Sequence, residues 1–259
     1  MRRLGGKWSR QRVRWKLGRF TAAFSGMLVC DLTAPMLETW LRGLTIGLVS
    51  RESYRRAINV MLEFGRRRGA IRANPAGDIK FKRRIEDDVT ILSPSAAGDL
   101  LERCASDLVP YVAICAIAGL RPAEARALDW ADIHFDILQI EVKARHSKTR
   151  RYRLVPMQPN LVRWLESHRR ESGLVGYSRR RFREAWKSSG MGQWKTNLLR
   201  HSFATYRLPI LKSADALALE MGNSPDVIFR HYRRPVTEAE ARKYFELIPL
   251  REKAVGSMS

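Results

Sequence analysis

The chain has 259 residues, 45% of them hydrophobic, enough for one large domain or two modest ones with packed cores. Lys and Arg number 48 against 26 Asp and Glu, giving a formal charge of +22 and a pI near 10.8, so the expected partner is a polyanion, with nucleic acid first. No apolar run approaches the roughly 18 residues of a membrane-spanning helix. Cys30, Cys104 and Cys115 lack paired spacing, which suggests neither a disulfide framework nor a zinc site, and the basic N-terminus has no apolar signal core; a reducing cytoplasm is the expected setting.

Residues 1–90 hold 20 basic and 8 acidic residues, against 28 and 18 in the remainder, so the first third is the more basic. Within it, residues 8–25 place Trp8, Val13, Trp15, Leu17, Phe20 and Phe24 near helical spacing with arginines between them. The spacing predicts a basic amphipathic helix, whose charges either follow a phosphate backbone or form a solvated face. Thr33-Ala-Pro then caps a helix ending at Gly43, and Ser50 reads as the cap of a helix that runs to Arg68 and stops at Gly69. Together these make a bundle of about three helices, a unit expected over residues 1–76. The break at Asn74-Pro75-Ala-Gly77 and the charged tract Lys80–Asp88 predict a linker over 77–91.

A second domain is expected over 92–250, followed by a tail at 251–259. It starts with a helix from Ser93, followed by LVPYVAICAIAGL, which is too short to span a membrane and so reads as a buried core helix. Pro122 opens the next helix, Asp129–Asp136 reads as a turn, and residues 137–157 (ILQIEV, a polar tip, RYRLVPM) read as a β-hairpin. Helices resume at 160–171 and 179–188. The fold class is therefore mainly α with a small antiparallel β-sheet.

The segments GLRPAEARAL, SKTRRYRLVP, LLRHSFATY and MGNSPDVIFRHY follow the order and spacing of a known family. Residues 92–249 resemble the tyrosine recombinases, the phage-integrase family, and the preceding helices look like that family's core-binding domain in short form. The resemblance implies a two-domain clamp on double-stranded DNA and breakage and rejoining of DNA through a 3′-phosphotyrosyl bond. Such a bond stores the energy of the broken phosphodiester, so no nucleotide, cofactor or metal is required. It further implies a homotetramer on two synapsed duplexes, with a C-terminal segment passed to a neighbour; the helix expected over 236–245 is the candidate.

Carried over by motif, the nucleophile is Tyr232, although a helical tyrosine near Val227 and Ile228 would otherwise be read as core or surface. Arg121 and Arg200 match the family's two phosphate-clamping arginines, whose planar guanidinium groups oppose charge developing on phosphorus. Glu124, one turn after Arg121, either orients that arginine or caps its helix. Lys148 on the hairpin tip, with Arg153 five residues on, matches the lysine that protonates the leaving 5′-oxygen; Lys143, Arg150 and Arg151 lie nearby.

Two positions depart from the family. Asn197 and Asn223 stand where it usually has histidine, or tryptophan at the second. An amide can bond a phosphate oxygen but cannot serve as a general base. Each also has a structural reading, Asn197 as a helix N-cap and Asn223 in a Gly-Asn turn. His201 has the family's usual residue, normally packed against the core. Besides a recombinase, the sequence admits a recombinase-derived DNA-binding protein without cleavage, or a relaxing topoisomerase.

Overall fold

The computed structural model describes residues 7–81, 90–147, 151–231 and 236–250. The chain divides into two compact units, Met1–Asp87 and Asp88–Ser259.

In the first unit, α1 (Lys7–Ala23) packs on α3 (Leu48–Arg67), as does α2 (Ala34–Gly43). Apolar residues at helical spacing supply the core: Phe20 from α1, Leu37 and Leu41 from α2, and Tyr54, Ile58 and Leu62 from α3. Trp40 meets Phe20 and Tyr54 edge-on at 5.6 and 5.9 Å. The predicted stripe along α1 is narrower than its spacing implies. Among its described side chains only Phe20 is buried, while Trp15 is 59% exposed and has the Arg19 guanidinium 5.6 Å from its ring.

Two boundaries also differ. The α3 helix starts at Leu48 with Gly47 at its N-cap, so Ser50 lies inside the first turn. Ile79 is buried in this unit's core and Phe81 packs against it. The first residues of the stretch read as linker from 77 are therefore held by the unit, because two apolar side chains in a charged tract find a core to enter. Much of α3's charge is paired along the helix: Glu52 binds Arg55 and Arg56, and Glu63 binds Arg66 and Arg67.

The second unit is built on α5 (Val109–Ile117), every residue of which is buried. Before it comes α4 (Pro94–Arg103), whose N-cap Ser93 accepts from Ala96 N at 3.2 Å. After it, α6 (Pro122–Ala125) leads into a three-stranded antiparallel sheet of β1 (Ile133–His134), β2 (Gln139–Val142) and β3 (Arg153–Pro156). The predicted hairpin is β2 and β3, with Ile140 opposite Val155 and Val142 opposite Arg153. The expected turn at 129–136 instead holds a 3-10 turn and the short β1, paired through Ile133 and Ile140.

Five further helices follow among the described residues before the last: α7 (Pro159–Glu166), α8 (Arg179–Ser188), α9 (Leu198–Leu211), α10 (Ala214–Met221) and α11 (Pro225–His231). The last, α12 (Glu238–Phe245), packs on α9 of its own unit. Tyr244 is fully buried, stacks on Tyr206 at 4.4 Å and donates to Ala116 O at 3.0 Å. In the single chain, then, the helix expected as the segment handed to a neighbour packs on its own unit, and handing it over would uncover Tyr244, the largest wholly buried side chain among the described residues. Among the described residues no helix is long and apolar enough to cross a membrane.

Candidate active site

Gly119-Leu120-Arg121 follows the end of α5, and the geometry of that turn sets the first arginine. Gly119 has φ +63, and a Cβ there would lie 2.2 Å from Phe203 Cδ1, so only glycine lets the turn pass this close to α9. Arg121 then stands at the N-cap of α6, where its backbone N–H donates to Glu124 Oε2 at 3.0 Å. Its guanidinium donates through Nη1 to Glu124 Oε1 at 2.8 Å, and through Nη2 to Gly222 O at 2.7 Å and Asn223 Oδ1 at 2.6 Å. Glu124 thus takes both roles read from its spacing, capping the helix and orienting the arginine.

Arg200 lies in the first turn of α9 and is 4% exposed. It donates through Nη1 to Gly119 O and through Nη2 to Met221 O at 2.7 Å. Arg153 on β3 completes the cluster. It donates to Glu124 Oε2 at 2.7 Å and Oε1 at 3.3 Å, and its Nε donates to Glu220 O at 3.1 Å.

Three consecutive carbonyls at the end of α10, those of Glu220, Met221 and Gly222, are therefore each taken by a different arginine. The partial negative charge of a helix C-terminus suits that task. Gly222 closes α10 with φ +62, and a Cβ there would come within 3.0 Å of Arg153 Nη1. Three guanidinium groups gather around this turn, and two of them, those of Arg121 and Arg153, bind the Glu124 carboxylate, which is 2% exposed. Burial alone would raise the Glu124 carboxyl, but Arg153, by hydrogen bond and charge, and Arg121 outweigh it and hold it below the usual carboxylate range. Forked donors gathered in this way have the chemistry to hold an anion.

Asn223 meets Arg121 through its carbonyl oxygen, as it must, because a guanidinium only donates. Its Nδ2 group is thereby turned away from Arg121. Asn197 does occupy the N-cap position of α9, but in a left-handed conformation (φ 65) and without a side-chain cap bond, so the capping role read for it is not made. It lines a cleft of about 1030 Å³ together with Arg200 and the Arg179, Arg180, Arg183 and Lys187 side chains of α8. His201 is half-buried.

Lys143, the rival of Lys148, is committed elsewhere. Its Nζ bonds the Asp132 carboxylate, which is 3% exposed, and that hydrogen bond raises the lysine pKa. Lys148, Arg150 and Tyr232 lie outside the described residues; α11 ends at His231, the residue before Tyr232. The structure thus brings Arg121, Glu124, Arg200 and Asn223 together. Sequence reasoning missed two contributions. The partners of Arg153 lie 29 and 67 residues away and leave no local trace, whereas the basic face of α8 could have been read from RRRFREAWK, which places charges at 179, 180, 183 and 187.

The phage integrase family model matches residues 92–208. No curated protein matches the chain. Among solved structures, a lambda integrase dimer bound to a COC′ core site has a TM-score of 0.73 at 16% identity, with 90% of each chain covered. The Tn1549 transposon integrase in complex with circular intermediate DNA has a TM-score of 0.73 at 16% identity, covering 93% of this chain and 94% of that one. The XerH site-specific recombinase, in a post-cleavage complex with palindromic difH substrate, has a TM-score of 0.69 at 16% identity, with 98% and 80% covered. At such identities the likeness is one of fold. Residues 92–208 are thus similar to the phage integrase family, and the chain shares the fold of these solved integrases and recombinases.

Proposed function

We propose that the chain is a site-specific tyrosine recombinase that cleaves and rejoins DNA through a 3′-phosphotyrosyl intermediate. The observation that carries this reading is the convergence of Arg121 and Arg200 on adjacent carbonyls, Gly222 O and Met221 O, three and four residues before α11 begins. A scissile phosphate beside these guanidinium groups would exchange carbonyl partners for phosphate oxygens, and the charge gained in the pentacoordinate state would meet donors already in place.

In the proposed reaction the Tyr232 oxygen attacks phosphorus as its phenolic proton passes to water, the bond from phosphorus to the 5′-oxygen breaks, and Lys148 supplies the proton that makes a 5′-hydroxyl. The reverse attack by a 5′-hydroxyl reseals the strand and returns the tyrosine. Lys148 rather than Lys143 fills this role because Lys143 is bound to Asp132. Asn223, with its oxygen held by Arg121, offers Nδ2 to a phosphate oxygen; Asn197, in the cleft beside Arg200, offers its amide but accepts no proton. Loss of a proton-transfer group costs about 10²- to 10⁴-fold, a smaller loss than that of the nucleophile.

The basic first unit would complete a clamp on the duplex, with α1 along the phosphates, and the working form would be a tetramer on two duplexes. A second reading, a DNA-binding protein that no longer cleaves, draws on the same two asparagines. The test is incubation with nicked duplexes tiled across the DNA flanking its own coding sequence, followed by denaturing electrophoresis. A retarded covalent band with the native chain, reduced about 100-fold or more in Arg121→Ala while DNA binding persists, supports cleavage. Salt-sensitive binding with no covalent band on any duplex supports the non-cleaving reading.

A further inference from the structure

Arg153 has no role in the chemistry just described, yet its side chain makes three hydrogen bonds in the cluster, as many as that of Arg121. We propose that Arg153 is a positioning residue for this site. It locks Glu124 and the end of α10 into one frame, so that Arg121 presents its charge to phosphate instead of losing it to Glu124. The inference rests on the recombinase reading of the site and adds a residue and a mechanism to it.

Neutralising Glu124 does not require Arg153. Arg121 already meets that carboxylate through Nη1 and its own backbone N–H. With Arg121 as the only partner, however, the pair would cancel. Arg153 shares the carboxylate through two hydrogen bonds, to Oε2 at 2.7 Å and Oε1 at 3.3 Å, which leaves Arg121 with charge to spare.

Its third bond, from Nε to Glu220 O, reaches the same helix end that receives Arg200 and Arg121. The side chain of Arg153 is 9% exposed, so these bonds work in a setting of weak screening. Gly222 packs against it, with a hypothetical Cβ 3.2 Å from both Arg153 Cδ and Cζ. A lysine could answer Glu124 but could not also reach Glu220 O from a planar fork. Because Arg153 opens β3, the strand after the Lys148 segment, it ties that strand to the Arg121 loop and to the turn leading into α11.

Two readouts on the full chain test this. The first does not depend on cleavage: guanidinium 15N–1H resonances of Arg121, assigned by their loss in Arg121→Lys. In the native chain, hydrogen bonds at both Nη atoms slow rotation and give separate signals. Arg153→Gln should shift them, because Arg121 is then drawn onto Glu124, Arg153→Lys should do so in part, and unchanged signals in Arg153→Gln overturn the proposal.

The second is the rate of adduct formation at saturating nicked duplex from the tiled set. Arg153→Gln should lower it by about 10- to 100-fold while DNA affinity changes less than about threefold. Glu124→Gln combined with Arg153→Gln should be no slower than the slower single variant, because both act through one contact. Multiplying effects, or a loss confined to affinity, would make Arg153 a DNA contact and overturn the proposal. Should Arg153→Gln fail to fold, Arg153→Lys carries both readouts. Absence of any Tyr232-dependent adduct in the native chain refutes the recombinase reading, and the resonances then decide the positioning claim alone.

Discussion

Replacing Gly119 with alanine tests the close approach on which the Arg200 contact depends. The glycine has φ +63, and its added Cβ would meet the Phe203 ring at 2.2, 2.7 and 2.8 Å from Cδ1, Cε1 and Cγ. Phe203 is 1% exposed and packs with Ala204, Leu217, Met221 and Ile228, so the ring has nowhere to retreat. A left-handed alanine costs about 1–2 kcal/mol, and overpacking adds about 1–3 kcal/mol, for a total of about 2–5 kcal/mol. Gly190 is the control: it has φ +68 but nothing within 4 Å of its Cβ, so Gly190→Ala carries the backbone cost alone. For a unit of this size each kcal/mol lowers the melting temperature by about 2–4 °C. Scanning calorimetry should therefore show Gly119→Ala melting well below Gly190→Ala, with adduct formation slowed because Gly119 O holds Arg200 Nη1. Equal melting temperatures would refute the packing argument.

Three other outcomes are expected. Lys143→Gln removes the cationic partner of buried Asp132 and should lower the melting temperature while cleavage continues, whereas Lys148→Gln should leave stability intact and slow cleavage by about 10²- to 10⁴-fold; the reverse pattern would reassign the proton donor. Because the folded state holds the Glu124 carboxyl below its ordinary value, that carboxylate stabilises the fold fully above about pH 4.3 and progressively less as pH falls through the depressed folded value. Acid melting curves should accordingly be flatter in Glu124→Gln, and an unchanged acid slope would count against the network. Asn197→His places a titratable group beside Arg200, so a limb in the pH–rate profile near 6.5 should appear that the native chain lacks; its absence would put residue 197 outside the reaction.

Much of the fold could be read from local pattern. The wholly apolar stretch 109–117 had to be a core helix, and the alternation in ILQIEV and RYRLVP had to pair as a hairpin, since each pattern leaves one way to bury its apolar groups. The legible part of the site was its motif order: Arg121, Glu124, Arg200 and Asn223 are distant in sequence and meet around α10's last turn. What stayed hidden depended on contacts between distant segments. Nothing near Arg153 announces Glu220, Ile79 looked like linker until a core was there to receive it, and Trp15 fits an apolar stripe yet faces outward. Asn197 has the composition of an N-cap, but its left-handed backbone denies it the bond.

The central claim is that Tyr232 joins covalently to DNA. Its most direct test is mass spectrometry of the protease-digested adduct formed on the tiled nicked duplexes, with Tyr232→Phe run beside the native chain. The account predicts a nucleotide-linked peptide containing Tyr232, which fragments to phosphotyrosine at that position, and no adduct from the Phe variant. An adduct that persists in Tyr232→Phe, or one mapped to another residue, would contradict it.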